Sequence, residues 1–132
     1  MYLIDTNVWL ERLLDQEKSA EVGHFFDSIP SERLYITDFA FHSIGVVMHR
    51  LNRVKEFLRF VEDAFLVGAV YLIHLEPEDT HDLVRVVEQF NLDFDDAYQY
   101  VAAEKYKLTI VSFDSDFDRT ERRRKTPAEL LA

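Results

Sequence analysis

The sequence predicts a three-layer α/β domain, a short, mainly parallel sheet flanked by helices. Two observations carry this. Four short runs rich in β-branched and aromatic residues stand far apart, at Tyr2–Asp5, Leu34–Thr37, Val70–Leu75 and Leu108–Phe113, each bounded by polar residues or a turn. Between them the apolar period becomes that of a helix. Strands separated by helical segments imply βαβ units and hence parallel pairing. No internal repeat or low-complexity tract interrupts the 132 residues, so residues 1–132 are expected to form one domain with its own core.

Each element has a local reason. The first run stops at Asp5-Thr6-Asn7, residue types whose side-chain oxygens accept from the unpaired N–H groups of a helix start. Val54, Phe57, Leu58, Val61 and Phe65 recur at helical spacing and predict one buried face. Leu83, Val86, Val87 and Phe90 do the same in a helix that Pro77 can begin at its first turn. Asp93 is a natural cap for the following helix, which puts Asp96 in its first turn. Thr126-Pro127-Ala128-Glu129 reads as a capping box with Pro at the first helical position.

Composition narrows the function. Nearly half the residues are apolar, Phe supplies eleven, and Gly and Pro are scarce, a globular and ordered profile. With no cysteine, neither a disulfide framework nor a thiolate metal site is available. No run approaches a membrane span and the N-terminus lacks the basic start and cleavage site of a signal peptide, so a soluble cytoplasmic protein is expected. The net charge of −10 argues against a module that coats nucleic acid by broad phosphate neutralisation. It leaves room for a nuclease whose acids are concentrated in a metal site. One local basic run, Arg119 to Lys125, carries Arg122, Arg123 and Arg124 close to a group of acids.

Those acids recur at predicted strand ends. Asp5 ends the first strand, and Asp114 follows the fourth, with Asp116 and Asp118 after it. In a parallel sheet Asp5 and Asp114 emerge at one edge, where α/β folds place reactive groups. A helix starting at that edge brings Asp96 beside them. Two unit charges about 4 Å apart cost on the order of 4 kcal/mol at an effective dielectric of about 20. A cation relieves that cost, and a site of carboxylate oxygens suits Mg²⁺ or Mn²⁺. Such ions serve phosphodiester cleavage well. Taken singly, each acid is also an ordinary cap or surface carboxylate.

Ile4-Asp5-Thr6-Asn7, Asp96-Ala97 and Ser112-Phe113-Asp114-Ser115-Asp116-Phe117, in that order and context, resemble the motifs of the PIN-domain nucleases. That family includes the toxin subunits of toxin–antitoxin pairs. The resemblance covers nearly the whole chain and implies a PIN-like fold and a Mg²⁺- or Mn²⁺-dependent ribonuclease. It also implies that Asp5, Asp96 and Asp114 are catalytic and hold the ion, with Asp116 ligating or supporting it. Thr6 and Asn7 would then orient Asp5 or the attacking water, and Arg119, Arg122, Arg123 and Arg124 would grip the RNA backbone. An antitoxin partner is implied as well. PIN-like proteins commonly dimerise, and the many Phe residues around Phe57–Phe65, with Phe39 and Phe41, point the same way.

One departure stands out. The family usually carries a glutamate on the helix after the second strand, where this chain reads Ile36-Thr37-Asp38-Phe39-Ala40-Phe41-His42-Ser43-Ile44. Ala40, Ile44, Val47 and Leu51 make the inward stripe there, and Ser43 lies about 60° from its centre. Ser43 therefore stands where the glutamate would project, while His42 points roughly the other way. Asp38 is either a substitute carboxylate or a helix cap, and His42 either a ligand or a structural side chain. Loss of one acid favours the alternative of a non-catalytic binding or regulatory protein with a degraded site. A phosphatase using Asp5 as nucleophile fits less well, because the second aspartate it needs is Asn7 here.

Overall fold

The computed structural model describes residues 1–131. Four strands, β1 (Tyr2–Ile4), β2 (Leu34–Thr37), β3 (Tyr71–Ile73) and β4 (Thr109–Val111), form one parallel sheet in the order β3-β2-β1-β4. Helices α1 (Thr6–Leu13), α2 (Ser19–Ser28), α3 (Asp38–Arg50) and α4 (Val54–Val61) fall between β1 and β3. Helices α5 (Thr80–Phe90) and α6 (Phe94–Tyr106) lie between β3 and β4, and α7 (Pro127–Leu131) closes the described chain. The strands are shorter than the sequence suggests, because Asp5, Val70 and Phe113 already belong to turns or helix caps.

Period-two alternation divides the core into two layers. Leu3 and Ile110 point to the side of α5 and α6, where Leu83, Val86, Ala97, Tyr100 and Val101 pack. Ile4, Leu34, Ile36 and Val111 point to the other side, against Val8, Trp9, Val22, Phe25, Ala40, Ile44 and Met48. The chain lays down β1, β2 and β3 outward in one direction and then returns to place β4 on the other side of β1. The strand order thus reverses between β1 and β4, and a crevice opens there at the carboxyl ends of the strands.

The caps follow the sequence closely. Asp5 accepts from the Thr6 N–H at 2.8 Å, and Asp93 accepts from the Asp96 N–H at 2.8 Å. Thr126 and Glu129 exchange the two bonds of a capping box, each at 3.3 Å. Helix α3 differs: its cap is Thr37, which accepts from the Ala40 N–H at 3.0 Å, and Asp38 is the first helical residue.

The predicted buried face of α4 is corrected in part: Phe57, Val61 and Phe65 pack against the core as expected. Val54 and Leu58 are exposed, and the buried residue is Phe60. After Val61 the helix widens into a π-helical turn over Glu62–Val67, ending where the Gly68 N–H reaches the Asp63 carbonyl at 2.9 Å. A side chain at Gly68 would meet the Asp63 and Ala64 carbonyls at under 3 Å. Phe41, Phe57, Phe60 and Phe65 pack edge-on and tilted against one another, with centroids 5.6 to 6.2 Å apart. The core therefore absorbs these rings. Among the described residues the most exposed large apolar side chains are Leu66 and Val67, at 74% and 87%, and the aromatics Phe94, Tyr71 and Tyr106 are exposed as well.

Truncation separates the two faces of α4. Phe60→Ala is expected to lower unfolding stability by about 3–5 kcal/mol, and Leu58→Ala to stay within about 0.5 kcal/mol of the parent. Urea denaturation followed by circular dichroism measures both, and equal losses would contradict the assignment of the buried face.

Candidate metal centre

The acids come to the crevice from three elements. The ladder between β1 and β4 aligns Ile4 with Val111 and continues through a bond from the Asp5 N–H to the Val111 carbonyl at 2.9 Å. Asp5 and the segment after β4 therefore leave the sheet side by side. Asp93 starts α6 at the same edge, and its cap fixes Asp96 in the first turn. After β4 the chain folds into a 3₁₀ turn over Ser115–Arg119, capped by Asp114, which accepts from the Asp116 N–H at 2.9 Å.

Asp96, Asp114 and Asp116 converge, each offering a carboxylate oxygen within 4.8 Å of the others. The surrounding cleft, about 340 Å³, is lined also by Asp5, Thr6, Asn7, Phe39, Ser43, Asp93 and Asp95. Among these lining residues there is no cation. Burial, a hydrogen bond with Asp114 and the charges of Asp114, Asp93 and Asp5 push the Asp96 carboxyl up to about 8. The crowding of carboxylates thus favours the neutral form of Asp96.

Asp5 is held differently. It is buried, and both of its oxygens are occupied: Oδ1 accepts from the Thr6 N–H at 2.8 Å and from Gln99 Nε2 at 2.9 Å, and Oδ2 accepts from Ser112 Oγ at 2.7 Å. Burial raises its pKa, with bonds from Gln99, Ser112 and Thr6 opposing the rise and the charge of Asp114 adding to it. Ser112 also accepts from the Asp114 N–H at 2.9 Å and from Asn7 Nδ2 at 3.3 Å. Asn7 in turn accepts from the Phe113 N–H at 3.2 Å, so α1 is stitched to the turn that carries Asp114. Thr6 Oγ1 is buried and has no hydrogen-bond partner among the described residues.

Gln99 and Ser112 were not singled out as supports of Asp5 in the sequence. The available signal for Gln99 is a lone amide in the apolar run from Tyr98 to Ala103. Ser43 lies in the cleft, whereas His42 lines another cavity with Phe41, Gly45 and His49. Asp38 is turned to the Tyr98 hydroxyl, which donates to it at 2.8 Å.

The arginines divide. Arg119 reaches Asp116 at 3.6 Å and donates to the Asn91 carbonyl at 2.9 Å. Arg122 donates to the Leu108 carbonyl at 3.1 Å, and Arg124 to the Ser112 carbonyl at 3.2 Å and to Asp118 at 3.3 Å. With Arg123 these two line a second cavity of about 540 Å³, which shares none of its residues with the acidic cleft.

The sequence matches the profile of the family described as "PIN domain" over residues 2–123. The fold is similar to a toxin–antitoxin complex from Klebsiella pneumoniae, with a TM-score of 0.78, 16% identity, and 96% of this chain and 98% of that one covered. It is similar to VapC20 of Mycobacterium tuberculosis, a sarcin–ricin loop cleaving toxin, with a TM-score of 0.75, 13% identity, and 89% and 93% covered. FitAcB from Neisseria gonorrhoeae gives a TM-score of 0.74 at 21% identity, with 97% and 99% covered. Comparison with curated proteins gives no match.

The raised pKa of Asp96 makes stability pH-dependent. Asp96 titrates near 8 when folded and near 3.9 when unfolded, so above about pH 4 the native state binds a proton that the unfolded chain has lost. Its contribution is fully present below about pH 4 and is lost as pH rises to about 8. Metal-free protein melted across that range is expected to lose stability with rising pH through this group. Asp96→Asn should flatten the profile, and an unchanged slope would show that Asp96 is not its source.

Proposed function

The chain belongs to the PIN-domain family, and from that premise we propose that it is a Mg²⁺- or Mn²⁺-dependent ribonuclease, the cytoplasmic toxin of a toxin–antitoxin pair. The observation that carries this is the convergence of Asp96, Asp114 and Asp116 beside a cleft lined by Asp5, Asp93, Asp95, Asp96 and Asp114 with no cation among its lining residues, Arg119 reaching only Asp116. A protein retains such a repulsive group at a cost. The donor set is all carboxylate oxygen, which suits a small hard divalent ion, and the partnerless Thr6 Oγ1 adds a polar atom in the same cleft. Similarity to toxins supports the same reading.

In this reading Asp5, Asp96, Asp114 and Asp116 hold the ion. When bound, the ion polarises a phosphate oxygen, lowers the pKa of water and stabilises the leaving oxygen. The protein's part is placement. Ser112 and Asn7 fix the spacing of Asp5 and Asp114, and Thr6 offers its hydroxyl to orient the attacking water. Arg119, already beside Asp116, meets a backbone phosphate. Arg122, Arg123 and Arg124, which line a separate cavity, would meet more distant phosphates, the guanidinium groups of Arg122 and Arg124 also donating to the Leu108 and Ser112 carbonyls.

We place the antitoxin in a groove of about 810 Å³ between α1, α2 and α4, with Trp9, Leu13, Phe26, Ile29, Phe60 and Val70 in its lining and Arg12, Asp27, Glu56, Arg59 and Asp63 around them. The Trp9 indole N–H is buried without an acceptor, so a backbone carbonyl of a docked segment would satisfy it. A homodimer covers the open aliphatic surface of Leu66 and Val67. Ser43 favours the second reading, a binding or regulatory protein, because it supplies no carboxylate where the family usually has one.

Two experiments decide. Millimolar Mn²⁺ is expected to raise the melting temperature by preferential binding to the folded state, with the shift abolished in Asp114→Asn. RNA cleavage should require the ion and Asp114 alike, and cleavage that persists in EDTA would exclude the proposal. Ser43→Glu adds a ligand and should tighten Mn²⁺ binding and raise cleavage, whereas His42→Glu, facing another cavity, should do neither. Tighter metal without cleavage would favour the binding-protein reading. The only tryptophan is Trp9, so its fluorescence should change when an antitoxin segment docks.

A further inference from the structure

Gln99 is the most buried amide side chain of the molecule, 1% exposed, on a helix that otherwise presents small and apolar residues inward. It is the middle member of a directed chain. The Ala40 N–H at the start of α3 donates to Thr37 Oγ1 at 3.0 Å. Thr37 Oγ1, fully buried, donates to Gln99 Oε1 at 2.7 Å, and Gln99 Nε2 donates to Asp5 Oδ1 at 2.9 Å. The direction is forced. A flipped amide would set Oε1 against the Asp5 carboxylate, two acceptors facing each other, and would leave the Thr37 proton without an acceptor. Each bond in such a chain polarises the next. The start of α3 is thereby joined to the buried acid of the crevice through two side chains from elements remote in sequence.

We infer that Thr37 and Gln99 form a positioning relay that fixes the orientation of the Asp5 carboxylate for the ion, with Gln99 acting through Asp5 and touching neither ion nor substrate. The inference rests on reading the cleft as a metal centre. Asp5 is buried in the wall of the cleft, 7% exposed, with both oxygens held by protein donors that set its rotamer. Thr6 N–H and Gln99 hold one oxygen and Ser112 the other. Of these donors, Thr6 N–H belongs to the adjacent residue and Ser112 moves with the turn that carries Asp114. Gln99 alone ties the carboxylate to α3 and α6. Thr37 selects which end of the amide faces Asp5, so a hydroxyl that never meets Asp5 decides whether Gln99 donates.

The test uses the intact protein and Mn²⁺ alone. By isothermal titration calorimetry, Gln99→Leu and Thr37→Val are each expected to weaken Mn²⁺ binding by about 10–100-fold. Thr37→Ser keeps the hydroxyl and should restore affinity to near the parent value, although all three variants change the core. In RNA cleavage the first two should lower kcat with KM unchanged. Nitrogen-15 NMR of the metal-free parent should show the Gln99 side-chain amide protons protected from solvent exchange, with that protection lost in Thr37→Val. A folded Gln99→Leu that binds Mn²⁺ as the parent does overturns the relay, as does rapid amide exchange in the parent, which needs no variant to fold. A parent that binds Mn²⁺ in a Gln99-dependent way without cleaving RNA rejects the ribonuclease reading and keeps the relay. A parent that takes up no Mn²⁺ rejects both.

Discussion

The constraint on which the site depends is the pairing of β1 with β4. Because β4 returns to the free side of β1, the Asp5 N–H closes on the Val111 carbonyl, and the first turn of α1 meets the turn after β4. Ser112, Asn7 and Phe113 then lock the two together. Had β4 joined the outer edge beside β3, Asp114 would leave the sheet three strands away from Asp5. The acidic cleft is a consequence of strand order, and the strand order places it at the point where α/β sheets open a crevice.

Two acids at one edge are resolved in two physical ways. Asp5 is buried, which raises its pKa, and donors from α1, α6 and Ser112 oppose that rise and fix its orientation. Asp96 has no comparable donors for its charge, and burial with the neighbouring Asp114 raises its carboxyl to about 8. One acid is thus set rigidly by hydrogen bonds, while its neighbours wait on a counter-charge. In the proposed reading that asymmetry offers an arriving ion one carboxylate already fixed and others free to adjust to it.

The basic run shows how one sequence feature serves two purposes. Arg122 and Arg124 are spent largely on carbonyls of Leu108 and Ser112, holding the segment alongside β4, where Lys125 bridges to Val111. Arg119 is the member in contact with the acids. Net charge says nothing of this division, since it depends on which guanidinium finds a carbonyl within reach.

The sequence by itself determined the layers, the caps at Asp5, Asp93 and Thr126, and the arrival of Asp96 and Asp114 at one sheet edge. These follow from local periodicity and from residue types that close helix ends. Only the tertiary structure decided that Phe60 is buried while Leu58 is exposed, because a helix lying over an already filled aromatic cluster is oriented by its neighbours rather than by its own apolar count. The tertiary structure also moved the cap of α3 from Asp38 to Thr37 and turned Asp38 to Tyr98. It revealed Gln99 as the donor to Asp5, a role no spacing rule announces, since the bond joins residues from opposite ends of the chain. Local chemistry writes the elements and their ends; which buried polar group meets which is fixed when the sheet brings distant segments within hydrogen-bond reach.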